Sequence, residues 1–182
     1  MEVVALVIFA AWIAFWIYWI AASAGVKPGR TRWGPFAGFR VAVIIIVLLL
    51  VRLKVFKAHT VTNNPWVEGI GLAIFILGLA LAVWARVYLG QNWGMPMSEK
   101  ADPELVTTGP YHRVRHPIYS GIILAMVGTA VAVTWYWLIA VALTGTYFIY
   151  SATREERYMS GVFPDAYPAY KHASKMLIPF VF

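Results

Sequence analysis

Long apolar stretches separated by short basic or polar connectors dominate the chain. The first, Val3–Ala22, is uncharged and rich in Trp12, Trp16, Tyr18 and Trp19. It is long enough to cross ~30 Å of hydrocarbon as a helix. Glu2 is the only charge ahead of it, and Ala22-Ser23-Ala24 is a weak lookalike of a cleavage site. The pattern therefore reads as a retained span rather than a signal peptide. The basic turn Lys27-Pro28-Gly29-Arg30-Thr31-Arg32 follows. A second, shorter span is expected at Phe36–Val51, β-branched and leucine-rich over Val41–Val51, with Arg40 and Arg52 snorkelling at its ends. Lys54 to Trp66 is a polar connector, and Asn63-Asn64-Pro65 reads as a helix start capped by Asn64. The third span is Val67–Leu89. Glu68 lies in its first turn, where the helix dipole favours an anion. Gly69, Gly71 and Gly78 permit close helix packing, and Arg86 sits near the far end.

A loop of nearly thirty residues, from Gly90 to His116, comes next. Such length in a small membrane protein points to function. Ile118–Tyr150 is then an uncharged run of 33 residues, too long for one span and too short for two full ones. Thr134-Trp135-Tyr136-Trp137 suits an interface belt, so the run divides there. The fourth span is placed at 118–133 and the fifth at 136–158, continuing through Thr153–Tyr158 beyond the bilayer core. A polar tail and an apolar Leu177–Phe182 close the chain. The fold class expected is an all-α integral membrane protein with five transmembrane helices, the last two forming a helical hairpin. It forms one domain, 1–182, with N-terminal spans over 1–84 and the chemistry-bearing core over 85–182.

Composition agrees with this pattern. Hydrophobic residues make up 61% of the 182 and charged ones 13%, against about 25% charged in soluble domains. The absence of cysteine excludes disulfides, thiolate zinc sites and thiol catalysis. The net charge of +7 reads as basic cytoplasmic loops rather than nucleic-acid binding. With five spans, twelve of the fifteen Lys and Arg fall on one face and three (Arg52, Lys54, Lys57) on the other. The positive-inside rule then puts the N-terminus outside and the C-terminus in the cytoplasm.

The same count puts two polar clusters on the cytoplasmic side. One is Gly109-Pro110-Tyr111-His112-Arg113-Val114-Arg115-His116-Pro117-Ile118-Tyr119-Ser120-Gly121. The other is Arg154-Glu155-Glu156-Arg157-Tyr158. A hairpin brings its ends together, so Arg115 and His116 can face Glu155 and Glu156. Donors on one wall and carboxylates on the other suit a zwitterion, and the amino-acid tail of S-adenosylmethionine is one. Tyr111, Trp93, Tyr119 and Leu105 are candidates for an adenine slot. The competing reading is that Arg and Glu at helix ends are ordinary interface anchors or ion pairs. His112 and His116 are four apart, but Pro117 disfavours helical geometry at His116. No other His or Cys is near, so no metal is assigned. His59 and His172 receive no role.

The segment Gly109–Gly121 resembles the signature of the isoprenylcysteine carboxyl methyltransferase family, which is related to phospholipid N-methyltransferases. The resemblance extends upstream to Leu89-Gly90-Gln91-Asn92-Trp93. Downstream it includes Glu155-Glu156 and Phe163-Pro164-Asp165-Ala166-Tyr167-Pro168-Ala169-Tyr170. It covers roughly residues 85–180. It implies a multispan methyltransferase using S-adenosyl-L-methionine from the cytoplasmic side, with a lipophilic or prenylated substrate arriving from the bilayer. Its partners would be that substrate and membrane lipid, with no nucleic acid; the oligomeric state is left open. By the same resemblance His116, Tyr119 and Glu156 would contact the cofactor. Leu105, Gly109, Tyr111 and Arg113 would help enclose it, with Pro117 and Gly121 in the same motif. Glu155 and Arg115 would face the transfer centre, and Arg115 or Arg154 would hold an acceptor carboxylate. Two departures bear on the acceptor: Ser151 stands where carboxyl-methylating members tend to carry Arg, and Pro164 replaces a Gly. Lipid carboxylate methylation leads; phospholipid or amine methylation is the alternative within the class. An NADPH-dependent membrane reductase, which would have Asn at Pro117, and a non-catalytic scaffold complete the field.

Overall fold

The computed structural model describes residues 2–27, 29–31, 64–94, 96, 98–100 and 102–182. The expected second span, Phe36–Val51, lies outside the described residues, as do Arg40, Arg52, Lys54, Lys57 and His59. Helix α1 is Glu2–Ala22. A three-residue strand β1, Gly29–Thr31, follows it. Helix α2 is Pro65–Leu89. Asn64 caps it as expected: the Trp66 backbone N–H donates to Asn64 Oδ1 at 3.0 Å, and Pro65 starts the first turn. At the other end Gly90, at φ +55°, donates its N–H to the Arg86 carbonyl.

The expected loop after α2 holds some regular structure. Its strand β2, Ser98–Lys100, pairs antiparallel with β1, Gly29 opposite Lys100. This ties the loop to the segment following α1. Helix α3 is Pro117–Ala132 and α4 is Trp137–Val162. The break between them falls at 133–136, where the aromatic cluster placed it, but α4 runs on past Tyr158. Helix α5, Ala166–Ala173, lies in the segment expected to be a polar tail.

The described architecture is thus helical, with one short ribbon. Two of its stretches, Val3–Ala22 and Pro65–Asn92, are long and apolar enough to cross a membrane. Helix α3, with 16 residues, spans about 24 Å at 1.5 Å per residue. The outward faces of α1 (Leu6, Phe9, Ile17, Ile20) and α2 (Ile70, Leu77, Trp84, Val87) are exposed and apolar. Apolar surface on this scale belongs against lipid.

Helices α2 and α3 touch backbone to backbone. A Cβ on Gly78 would collide with the Ala125 backbone nitrogen, and one on Gly128 with that of Phe75. Gly71 meets Ala132 in the same way. Small residues at this spacing give close contact where hydrophobic burial contributes little. Gly69, expected to join them, faces open space.

Helix α1 covers this pair with aromatic rings. Trp12 packs edge-on against Phe15 and Phe75, and its Nε1–H donates to Thr129 Oγ1 at 3.2 Å. Arg86 is 4% exposed. Its guanidinium donates to the Ala22 and Gly90 carbonyls and lies 4.6 Å over the Trp93 ring. It satisfies orphan carbonyls at the ends of α1 and α2 together, which offsets the desolvation of its charge.

Candidate functional site

The site is built from the approach to α3. Gly109 sits at φ +58°, and a Cβ there would lie 2.6 Å from the Tyr88 ring, so only glycine fits. It opens a single tight turn, Gly109–His112. This buries Tyr111, whose hydroxyl donates to the Ala85 carbonyl at 3.3 Å. The chain then extends. Lys175 N–H donates to the Arg113 carbonyl at 3.0 Å, Arg115 N–H to the Lys175 carbonyl at 2.8 Å, and His116 N–H to the Met176 carbonyl at 3.1 Å. Residues 113–116 therefore run parallel to 175–176, bridged at Val114 and Lys175. Pro117 takes the first position of α3, where its missing N–H is no loss.

Across from this segment, α4 supplies two adjacent carboxylates with different surroundings. Glu156 has a side chain only 3% exposed. It accepts from Arg115 Nε at 2.6 Å and pairs with Lys171 Nζ at 2.8 Å. Burial works to raise its pKa, but His116, Lys171 and Arg115 overcome this and lower it to about 2. Arg115 is held further by the Lys171 and Ser174 carbonyls. Glu155 is 25% exposed and accepts from the Tyr119 hydroxyl at 2.6 Å. The His116 Nδ1 lies 3.4 Å from Glu155 Oε2.

His116 is stacked parallel on Tyr119 at 5.4 Å, and Tyr119 on Phe148 at 4.3 Å. Its Nε2 is buried without a hydrogen-bond partner among the described residues; the nearest carboxylate oxygen, Glu156 Oε1, is 3.6 Å away. Burial opposes the imidazolium, yet Glu155 and Glu156 outweigh it and raise the His116 pKa. Tyr170 donates its hydroxyl to the Tyr111 carbonyl at 2.6 Å. Burial is the main reason its own pKa is pushed up to about 12.

These groups open onto a cavity of about 1680 Å³. Its polar end carries Arg115, His116, Tyr119, Glu155 and Glu104, with Trp93, Leu105 and Tyr111 beside them. Its apolar arm runs along α1 past Trp19, Trp16, Trp12 and Phe9, and along α3 past Ile122 and Met126. Lys27 donates to Glu104 at 2.7 Å, and Asn92 donates to the other Glu104 oxygen at 2.8 Å. The Lys27 hydrogen bond is the main reason the Glu104 pKa is lowered.

Of the residues singled out from sequence, Trp93, Leu105, Tyr111, Arg115, His116, Tyr119 and Glu155 line this cavity. Glu156, expected to meet the cofactor, is buried in the Arg115–Lys171 network and is outside the lining. Gly109, Arg113 and Pro117 line a separate cavity of about 330 Å³. Gly121 packs on Ala82 of α2. Arg154 is exposed and outside the lining. Ser151 is fully buried and bonds the Tyr147 carbonyl at 2.9 Å. Sequence reasoning missed Lys171, Ser174 and Glu104. The first two belong to a stripe of Tyr167, Tyr170, Lys171 and Ser174 with helical spacing, a signal that could have revealed α5.

Known proteins are similar to this chain in sequence. The phospholipid methyltransferase family model matches residues 66–166. Protein-S-isoprenylcysteine O-methyltransferase B of Arabidopsis thaliana is 30% identical over 79% of this chain and 74% of its own length. Methanethiol S-methyltransferase 1 of Bradyrhizobium diazoefficiens is 30% identical over 82% of this chain and 59% of its own. Nickel-cobalt-cadmium resistance protein NccN of Alcaligenes xylosoxydans xylosoxydans is 26% identical over 79% and 68%. The chain spans 57% of a further relative, cobalt-zinc-cadmium resistance protein CzcN of Cupriavidus metallidurans. The family model covers more than half of the chain and an isoprenylcysteine methyltransferase aligns with most of it, so the chain belongs to the membrane methyltransferases of the phospholipid and isoprenylcysteine type.

Proposed function

We propose that this protein is an S-adenosylmethionine-dependent methyltransferase acting on a lipophilic acceptor at the membrane. The observation that carries the proposal is the shape of the cavity: one polar end, where His116, Tyr119 and Glu155 meet, joined to an aromatic and aliphatic arm along α1. The residues fit the cofactor chemically. S-adenosylmethionine presents an ammonium, a carboxylate and a sulfonium; Glu155 suits a place beside the sulfonium, and the buried Nε2 of His116, which has no hydrogen bond among the described residues, suits an acceptor oxygen. Trp93, Leu105 and Tyr111 would border the adenine. When bound, the cofactor supplies a methyl group already activated by its sulfonium.

The chain's own contribution is alignment and exclusion of water. Tyr119 fixes the Glu155 carboxylate through its hydroxyl and is itself held between His116 and Phe148. The Arg115–Glu156–Lys171 network locks the strand carrying His116 to α4 and α5. This reading keeps the five-span arrangement, with α3 and α4 as a hairpin, the N-terminus outside, and the core 85–182 opening to the cytoplasm.

A lipid carboxylate, as on a prenylated cysteine, is the first acceptor: it is ionised at neutral pH and needs no base. A thiol or amine acceptor is favoured by one observation. Arg115 is committed to Glu156 and to backbone carbonyls, whereas Glu155 stands on the cavity wall, where it can take a proton. The test is transfer of labelled methyl from S-adenosylmethionine to three acceptors sharing one apolar chain and ending in carboxylate, thiol or amine. Label on at least one supports the proposal. No transfer to any of them, or to a membrane lipid extract, by folded protein overturns it.

A further inference from the structure

A second feature lies apart from the cofactor cavity. After Leu177, which is buried, the chain makes a tight turn closed by Phe182 N–H to the Ile178 carbonyl at 3.0 Å. The turn exposes Ile178 (53%), Phe180 (75%) and Val181 (72%). Beside it is the smaller cavity, walled by Leu81 and Trp84 of α2, Pro110, Leu177 and Pro179. Trp84 and Leu77 continue this surface onto the exposed face of α2, a helix long and apolar enough to span a membrane. The polar side chains in the lining are His112, Arg113 and Ser120, and no carboxylate is among them. Arg113 lies 5.1 Å over the Phe180 ring and makes no ion pair among the described residues. Lys175 is exposed on the adjoining strand.

An apolar groove continuous with a lipid-facing helix, with basic and no acidic side chains in its lining, is complementary to an anionic amphiphile. We infer that this groove binds an anionic phospholipid, its acyl chain against Leu81, Trp84 and Pro179 and its phosphate beside Arg113 and His112. The Arg113 carbonyl accepts from Lys175 within the same strand that presents His116, so a lipid seated here braces the back of the cofactor-facing segment.

The inference is independent of the catalytic reading, because it is tested without cofactor. The detergent-purified full chain is titrated with phosphatidylglycerol and phosphatidylcholine of equal chain length, with bound lipid counted by native mass spectrometry. The expected result is at least roughly fivefold tighter binding of phosphatidylglycerol, the effect of about one cation near a headgroup. Arg113→Gln should bring the two lipids close to parity, and His112→Gln, made separately, should move the ratio the same way. Phe180→Ser should weaken both lipids alike. Equal binding of the two lipids by the wild type, or an undiminished preference in Arg113→Gln, overturns the inference. So does a Phe180→Ser variant that turns a dimer into a monomer with the lipid ratio unchanged, since the face would then join two copies of the chain.

Discussion

Glu155 and Glu156 are neighbours on one helix and live in different places. Successive residues on an α-helix point about 100° apart, and here that rotation separates a cavity wall from a buried lattice. Glu156 is enclosed by Arg115, Lys171 and His116; Glu155 meets Tyr119 and His116 and lines the cavity. The pair was expected on one wall of a pocket, with Glu156 at the cofactor and Glu155 at the transfer centre; in the structure Glu156 is an anchor and Glu155 the group that the cavity wall presents. The lesson is that a charged pair beside a site need not act as a unit: burial and partners decide which member is left to do chemistry.

The largest effect should come from cutting the anchor. Glu156→Leu leaves Arg115 with an uncompensated, largely buried charge, and loss of one partner of such a pair costs about 3–5 kcal/mol. Denaturant unfolding of the detergent-solubilised protein measures it, and a change under about 1 kcal/mol would show that the network is not an anchor. Glu155→Gln should leave the protein folded and act on turnover instead. With an amine or thiol acceptor, rates should fall about 100-fold, the lower range for loss of a general base. With a carboxylate acceptor the loss should be much smaller. If Glu155→Gln unfolds the chain while Glu156→Leu does not, the comparison is inverted.

The pH dependence of stability separates the groups again. Glu156 is lowered from 4.5 to about 2 in the folded state. Its stabilisation is fully present above 4.5 and is lost as pH falls from there towards 2. His116 is raised above 6.5, so its contribution is fully present below 6.5 and is lost as pH rises through the folded value. Unfolding midpoints against pH should lose the acid limb in Glu156→Gln and the alkaline limb in His116→Gln. Limbs that persist in both variants would contradict these assignments. The smallest effects belong to the scaffold. Gly78→Ala forces apart α2 and α3 and should cost about 1–3 kcal/mol. Gly69→Ala, facing open space, should be neutral or slightly stabilising, and equal losses at both would deny the close contact.

Much of this was legible in sequence. Apolar length marked α1 and α2, Asn64-Pro65 marked the start of α2, and the Thr134–Trp137 cluster marked the break between α3 and α4. The Arg-His-Pro-x-Tyr segment and the Glu pair were rightly expected to meet. The side of the cavity on which each group lies was not legible, because it depends on α5 and on the strand 175–176. Their contacts with 113–116 are made across some sixty residues, mostly through backbone groups common to every amino acid. The packing of Lys171 and Ser174 against Arg115 and Glu156 decides that Glu156 is the enclosed one.

On the proposed function, the His116–Tyr119–Glu155 end of the cavity holds S-adenosylmethionine. Calorimetric titration of the folded, detergent-solubilised protein with the demethylated product, S-adenosylhomocysteine, tests it most directly. The account predicts one bound equivalent for the wild type and a loss of at least about tenfold in affinity for His116→Ala, roughly 1.4 kcal/mol. No binding by the folded wild type, or unchanged affinity in folded His116→Ala, would contradict it.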